Sequence, residues 1–165
     1  MLQTVKAQVH RAQSESFAIV ASEYNARYVD AMLKAASAEL KRAGARKVQI
    51  IRVPGAYEIP AVVARLARLA SFQQSDGRPR RTLSAIICLG VILRGETVHA
   101  AHIGEAVSRV LMEIQVRYEL PVIHEVLLLE NEAQARARCL GKTHSRGAEA
   151  AQTALAMAKV MRQLW

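Results

Sequence analysis

The chain's 165 residues are the length of one domain, and its 52% hydrophobic content is ample for a packed core. Aromatic residues make up only 4%, which argues against recognition of nucleic acid by base stacking, while the net charge of +9 favours acidic partners such as phosphate esters. The basic residues recur along the whole chain and form neither a tail nor a DNA-reading helix, so no nucleic-acid partner is expected.

Residues 1–16 mix Lys6, His10, Arg11 and Glu15 without a continuous apolar stretch, and read as an N-terminal arm rather than a secretory signal. No run approaches membrane-spanning length, so the expectation is a cytoplasmic protein with no membrane partner. Phe17 to Ser22 reads as a first buried strand, Glu23 to Ala26 as a turn, and Ala26 to Ala43 as a helix that Gly44 stops. Lys47 to Val53 is β-branched and strand-like, Pro54-Gly55 breaks it, and Ile59 to Leu69 resumes helical spacing through Ile59, Val62, Val63, Leu66 and Leu69. Residues 71–82 are polar, basic and turn-rich, as a surface loop should be.

Leu83 to Leu89 is almost wholly apolar, as in a strand covered on both faces, and a glycine-bearing turn from Gly90 onward is expected to follow it. A helix from about Ala101 to Tyr118 places Ile103, Val107, Leu111 and Ile114 on one face. Val122 to Leu129 is a fourth strand, Glu132 to Leu140 a short helix, and Ser145 to Leu164 a final one. Cys88 and Cys139 have no metal-ligand spacing and read as reduced structural thiols. Four strands alternating with helices predict a single α/β domain over 1–165, a three-layer α/β/α sandwich around a central four-stranded parallel sheet, flavodoxin-like in its layering.

In such a sheet the loops after successive strands emerge at one edge, so Tyr24-Asn25, Ala56-Tyr57-Glu58 and Gly95 to His99 are expected to converge on a composite pocket. Tyr24 can stack on a flat heterocycle or be an ordinary half-buried tyrosine. Glu58 can accept hydrogen bonds from a ligand, and a carboxylate at a helix N-terminus equally suits the helix dipole. His99 stands out from His10, His102, His124 and His144 by its position, and an imidazole there suits proton transfer near neutral pH. Arg138, Lys142 and Arg146, between the last two helices, are candidates for binding phosphate or are simply a basic rim.

These residues carry a resemblance. Val53-Pro54-Gly55-Ala56-Tyr57-Glu58-Ile59-Pro60 and the run Gly90 to His99 are similar to the strand-two signature and the catalytic loop of the lumazine synthase family. Lys142 to Ala151 is similar to its closing motif, and with Phe17 to Asn25 and Leu120 to Val126 the resemblance spans nearly the whole chain in order. It implies condensation of 5-amino-6-(D-ribitylamino)uracil with 3,4-dihydroxy-2-butanone 4-phosphate to 6,7-dimethyl-8-ribityllumazine, releasing phosphate and water, with no metal or redox cofactor. The alternatives are a non-catalytic flavin- or lumazine-binding shell protein and the archaeal-type riboflavin synthase.

Position by position, the resemblance implies that Tyr24 stacks on the pyrimidinedione, that Ala56, Tyr57 and Glu58 flank the ribityl side, and that Val91, Ile92 and Leu93 offer backbone contacts to the ring. Glu96, Thr97, Arg138 and Arg146 fall at the butanone phosphate site, and His99 at the proton-transfer position. The chain departs from the family pattern at Ala100-Ala101-His102, where an aromatic-acidic-aromatic run is usual, and at His124, where an aromatic lies against the ring. Ala137 stands for an acidic residue, and Arg146 for a lysine. The resemblance also implies a homo-oligomer, either a pentamer or a 60-subunit icosahedral shell, with active sites between subunits.

Overall fold

The computed structural model describes residues 11–12, 14–71, 82–141 and 145–164. Four parallel strands, β1 (Ser16–Ser22), β2 (Lys47–Val53), β3 (Ala85–Leu93) and β4 (Val122–Leu129), form one sheet in the order β2-β1-β3-β4. Five helices join and flank them: α1 (Ala26–Arg42), α2 (Ile59–Ala70), α3 (His99–Tyr118), α4 (Glu132–Cys139) and α5 (Arg146–Gln163), with a single 3-10 turn, Ala56–Glu58, ahead of α2. This is the three-layer sandwich that the alternation of periods predicts. Most of the N-terminal arm and nearly all of the basic loop fall outside the described residues.

Side-chain alternation along the central strands builds two cores. Phe17, Ile19 and Ala21 of β1 point with Ile87, Leu89 and Ile123 toward α1, α4 and α5. Ala18 and Val20 point with Ile86, Cys88 and Val122 toward α2 and α3. Every residue of β1 is buried, which is why its sequence is apolar without alternation. Each helix turns a matching stripe inward: Val29, Met32, Ala36 and Leu40 of α1 recur at helical spacing, as do Ile59, Val63, Ala67 and Ala70 of α2. Full burial of each Ile, Leu or Phe contributes about 1.5–3 kcal/mol. Gly44, at φ 78, ends the α1 segment in the left-handed conformation that glycine tolerates.

One expectation is corrected. The turn anticipated at Gly90 does not exist, because β3 runs straight through Gly90-Val91-Ile92 to Leu93. Gly90 is there for space: a Cβ on it would lie 3.1 Å from Val126 Cγ1 and 3.4 Å from Ile59 Cδ1, so the glycine lets α2 and β4 close over the strand. The turn comes instead at residues 94–98, and His99 is the first residue of α3.

Candidate active site

With all strands parallel, the loops that follow them collect at one edge of the sheet, and backbone hydrogen bonds lace the first two together. Glu23 N–H donates to Val53 O at 2.8 Å and Tyr24 N–H to Pro54 O at 3.1 Å. Asn25, in the left-handed conformation at φ 57, reaches across and donates from Nδ2 to Val91 O at 2.7 Å. Gly55 lies beneath two functional candidates, since a Cβ there would meet Glu58 Oε2 at 2.8 Å and the Tyr24 ring at 3.1 Å. The Tyr24 ring and the Glu58 carboxylate therefore overhang the same glycine.

Tyr24 is 71% exposed, so it is not the half-buried packing residue that the sequence left open as a reading, and Tyr57 is 64% exposed. Between them and α3 runs an unfinished strand edge. β1 is paired with β3 only as far as Ala21 opposite Leu89, whereas β4 continues to Leu93. Even-numbered β3 residues face β4, as the Ile86 N–H to Pro121 O bond shows, so alternation turns the peptide groups of Val91 and Leu93 toward the other side, where Asn25 Nδ2 takes the Val91 carbonyl. Beyond them, exposed Glu96 and Thr97 lead into the start of α3, which has neither a side-chain cap nor an acidic residue in its first turn. Ala101 N–H already donates to Val98 O at 3.1 Å, which leaves the N–H groups ahead of it at the helix start as the part that suits an anion.

His124, Arg138 and Arg146 lie elsewhere. His124 pairs with Cys88, five residues before the Leu93–Leu129 pair at the sheet edge, which puts it about 16 Å down the strand at roughly 3.3 Å per residue. It projects on the α3 side, where its Nε2 is 2.8 Å from Ser108 Oγ and its Nδ1 accepts from Val126 N–H at 3.2 Å. On the opposite side of β4, Glu125 is held by Arg146 in two bonds, Nε to Oε2 at 3.0 Å and Nη2 to Oε1 at 2.9 Å. Arg146 Nη1 also donates to Glu149 at 2.8 Å, and Arg138 is near enough for its charge to act on Glu125. The edge strand β4 thus carries a second, separate set of candidates. Lys142 and His144 lie outside the described residues.

Glu125, Glu149 and Ser108 were not singled out from the sequence. The available signal for Glu125 was an acid inside the otherwise apolar run Val122 to Leu129, a position that needs a partner when buried. Burial pushes its carboxyl up to about 7, with the Arg146 guanidinium pulling the other way. An acid with a raised folded pKa stabilises the fold fully below its ordinary value near 4.5 and loses that contribution as pH climbs toward 7. Relative to Glu125→Gln, the wild type should therefore lose thermal stability between pH 5 and pH 8. Melting curves across that range check this; a difference between wild type and variant that stays flat from pH 5 to pH 8 would mean that Arg146 keeps the carboxylate ionised throughout.

Reactive side chains gathered at the carboxyl edge of a doubly wound parallel sheet define an α/β enzyme. Comparison with known proteins narrows this. The profile of the 6,7-dimethyl-8-ribityllumazine synthase family matches residues 14–162, and the chain belongs to that family. Proteins named 6,7-dimethyl-8-ribityllumazine synthase are similar along nearly their whole length. One from Stenotrophomonas maltophilia (strain R551-3) is 36% identical over 154 residues, 92% of each chain. One from Xanthomonas oryzae pv. oryzae (strain PXO99A) is 34% identical over 156 residues, 93% of this chain and 94% of its own. One from Coxiella burnetii (strain CbuG_Q212) is 33% identical over 153 residues, 92% and 94%. The shell-protein and riboflavin synthase readings are not favoured by these matches. Among the described residues no helix is long and apolar enough to cross a membrane.

Proposed function

We propose that the chain is a transferase of riboflavin biosynthesis that condenses 5-amino-6-(D-ribitylamino)uracil with 3,4-dihydroxy-2-butanone 4-phosphate, releasing phosphate and water. The observation that carries this reading is the β3 edge that runs past the last β1 pairing to Leu93, with the Val91 carbonyl held by Asn25, flanked by the exposed Tyr24 ring and by the uncapped start of α3. A pyrimidinedione has alternating N–H and C=O groups on its rim and two flat faces. The end of a strand edge beside an exposed aromatic ring offers both kinds of complement.

The remaining roles follow from the chemistry. An amine adds to a ketone and loses water as an imine forms, phosphate leaves, and the second amine closes the ring on the remaining carbonyl with loss of a second water. The protein has to hold two reactants together and move protons. His99, at the first turn of α3, is the proton carrier in this reading, and Thr97 with the N–H groups around it receives the phosphate. Ala56, Tyr57 and Glu58 border the ribityl chain. Glu96 and Ile92 flank the two substrate regions through their backbone. Arg138 supplies the cation for the phosphate, and Arg146, already committed to two carboxylates, orients its surroundings.

His124, Arg138 and Arg146 complete the site by facing the loop cluster of a neighbouring subunit, so the active unit is a homo-oligomer, a pentamer or a shell of them. The separation of the two residue sets within one chain supports this arrangement. The buried, unpaired thiols of Cys88 and Cys139 fit a reducing, cytoplasmic setting. The direct test is to mix the purified protein with both substrates and follow lumazine absorbance and fluorescence. His99→Ala should slow single turnovers by about 10- to 100-fold, because proton transfer is lost while proximity remains. An unchanged single-turnover rate would remove His99 from the mechanism.

A further inference from the structure

The hydrogen-bond pattern around His124 leaves its ring no choice of tautomer. Ser108 Oγ donates to Gly104 O at 2.7 Å, one turn back on α3, so its single proton is spent there. At 2.8 Å from His124 Nε2 the same oxygen accepts, which places the imidazole proton on Nε2. Val126 N–H points into Nδ1 at 3.2 Å, which requires a lone pair on that nitrogen. Burial acts in the same direction by holding the ring's pKa below the usual imidazole value.

We propose that Ser108 is a positioning residue for the pyrimidine site: by accepting from Nε2–H it fixes the ring plane of His124, which the Val126 N–H on Nδ1 keeps as the neutral tautomer, so that this histidine acts as a flat, uncharged contact face and not as a base. The proposal rests on the reading that His124 of one subunit lies against the pyrimidine ring bound at the next. A freely rotating imidazole would lose rotamer freedom on each binding event, and a protonated one would place a cation beside an electron-poor heterocycle. The serine removes the first cost, and the Val126 N–H on Nδ1 the second. This role does not call on Ser108 to touch substrate.

The test is a kinetic cycle on the intact oligomer. Ser108→Ala should raise KM for the ribitylaminouracil about 5- to 10-fold, the factor corresponding to one hydrogen bond, with KM for the butanone phosphate and the melting temperature unchanged. Ser108→Thr, which keeps the hydroxyl, should restore the wild-type value. In a His124→Phe background, where the ring needs no anchor, Ser108→Ala should have no further effect. A Ser108→Ala penalty of the same size in both backgrounds, or one that appears in kcat alone, would overturn the positioning role. A wild-type ribitylaminouracil KM in His124→Ala would instead strike the placement of His124 against the pyrimidine. Absence of any lumazine formation by the wild type would strike the proposed activity itself. The three failures are therefore distinguishable.

Discussion

Replacing Gly147 by alanine should cost about 3 kcal/mol or more, at or beyond the upper end for overpacking, and lower the melting temperature by roughly 6–12 °C for a domain of this size. A Cβ on Gly147 would sit 2.0 Å from the Met32 carbonyl oxygen and 2.6 Å from Met32 Cα, a collision with backbone that no side-chain rotation relieves. This is where α1 and α5 cross. The buried face of α5, with Ala150, Ala151, Ala154 and Ala158, is made of small residues that let it lie close against Met32, Ala36 and Leu40 of α1. Gly95→Ala is the matched control, because a Cβ at Gly95 meets nothing within 4 Å, and its melting temperature should stay near that of the wild type. Equal melting temperatures for Gly147→Ala and Gly95→Ala would show that the two helices are not pressed together. Because Arg146 precedes Gly147 and holds Glu125, a displaced α5 also loosens the polar cluster on β4.

How far such contacts were legible in the sequence depends on whether they are local. Lys47–Val53 and Val122–Leu129 were bounded residue for residue, because each is a β-branched or apolar run with turn-forming residues or a proline beside it. Gly90 misled because a glycine after an apolar run reads as a turn, and only the approach of Val126 and Ile59 explains it as a close contact inside a strand. Tyr24, Tyr57, Glu58 and His99 could be assigned to one edge, since parallel strands put all their following loops on the same side. The charge of Arg146 and its place at the start of a helix leave a phosphate ligand and a basic rim both open, and only the resemblance points to the phosphate site. Its two carboxylate partners come from Glu125, 21 residues earlier on β4, and from Glu149, one turn further along α5. The Ser108–His124 contact likewise joins a helix to a strand and has no local sequence signature.

Arg138→Ala should raise KM for the butanone phosphate by about 100-fold, the loss of a bidentate charge-assisted contact, while KM for the ribitylaminouracil moves little. Steady-state kinetics with each substrate varied in turn checks this, and the converse pattern would place Arg138 on the pyrimidine side. The same variant tests where the site lies. Arg138 belongs with Glu125 on the flank of β4, whereas His99 opens α3 at the sheet's carboxyl edge. If one subunit supplies His99 and its neighbour Arg138, co-assembling Arg138→Ala with His99→Ala subunits in equal amounts regenerates intact sites wherever the two defects fall on opposite sides of a contact. Random closed-ring assembly makes that about a quarter of all sites. At butanone phosphate concentrations far below the variant's KM, the mixed oligomer should then recover about a quarter of wild-type activity, well above either pure variant. A mixture no more active than the average of the two would put both residues in a site built by one subunit. In that case the exposed rings of Tyr24 and Tyr57 would need a partner other than a second copy of the chain.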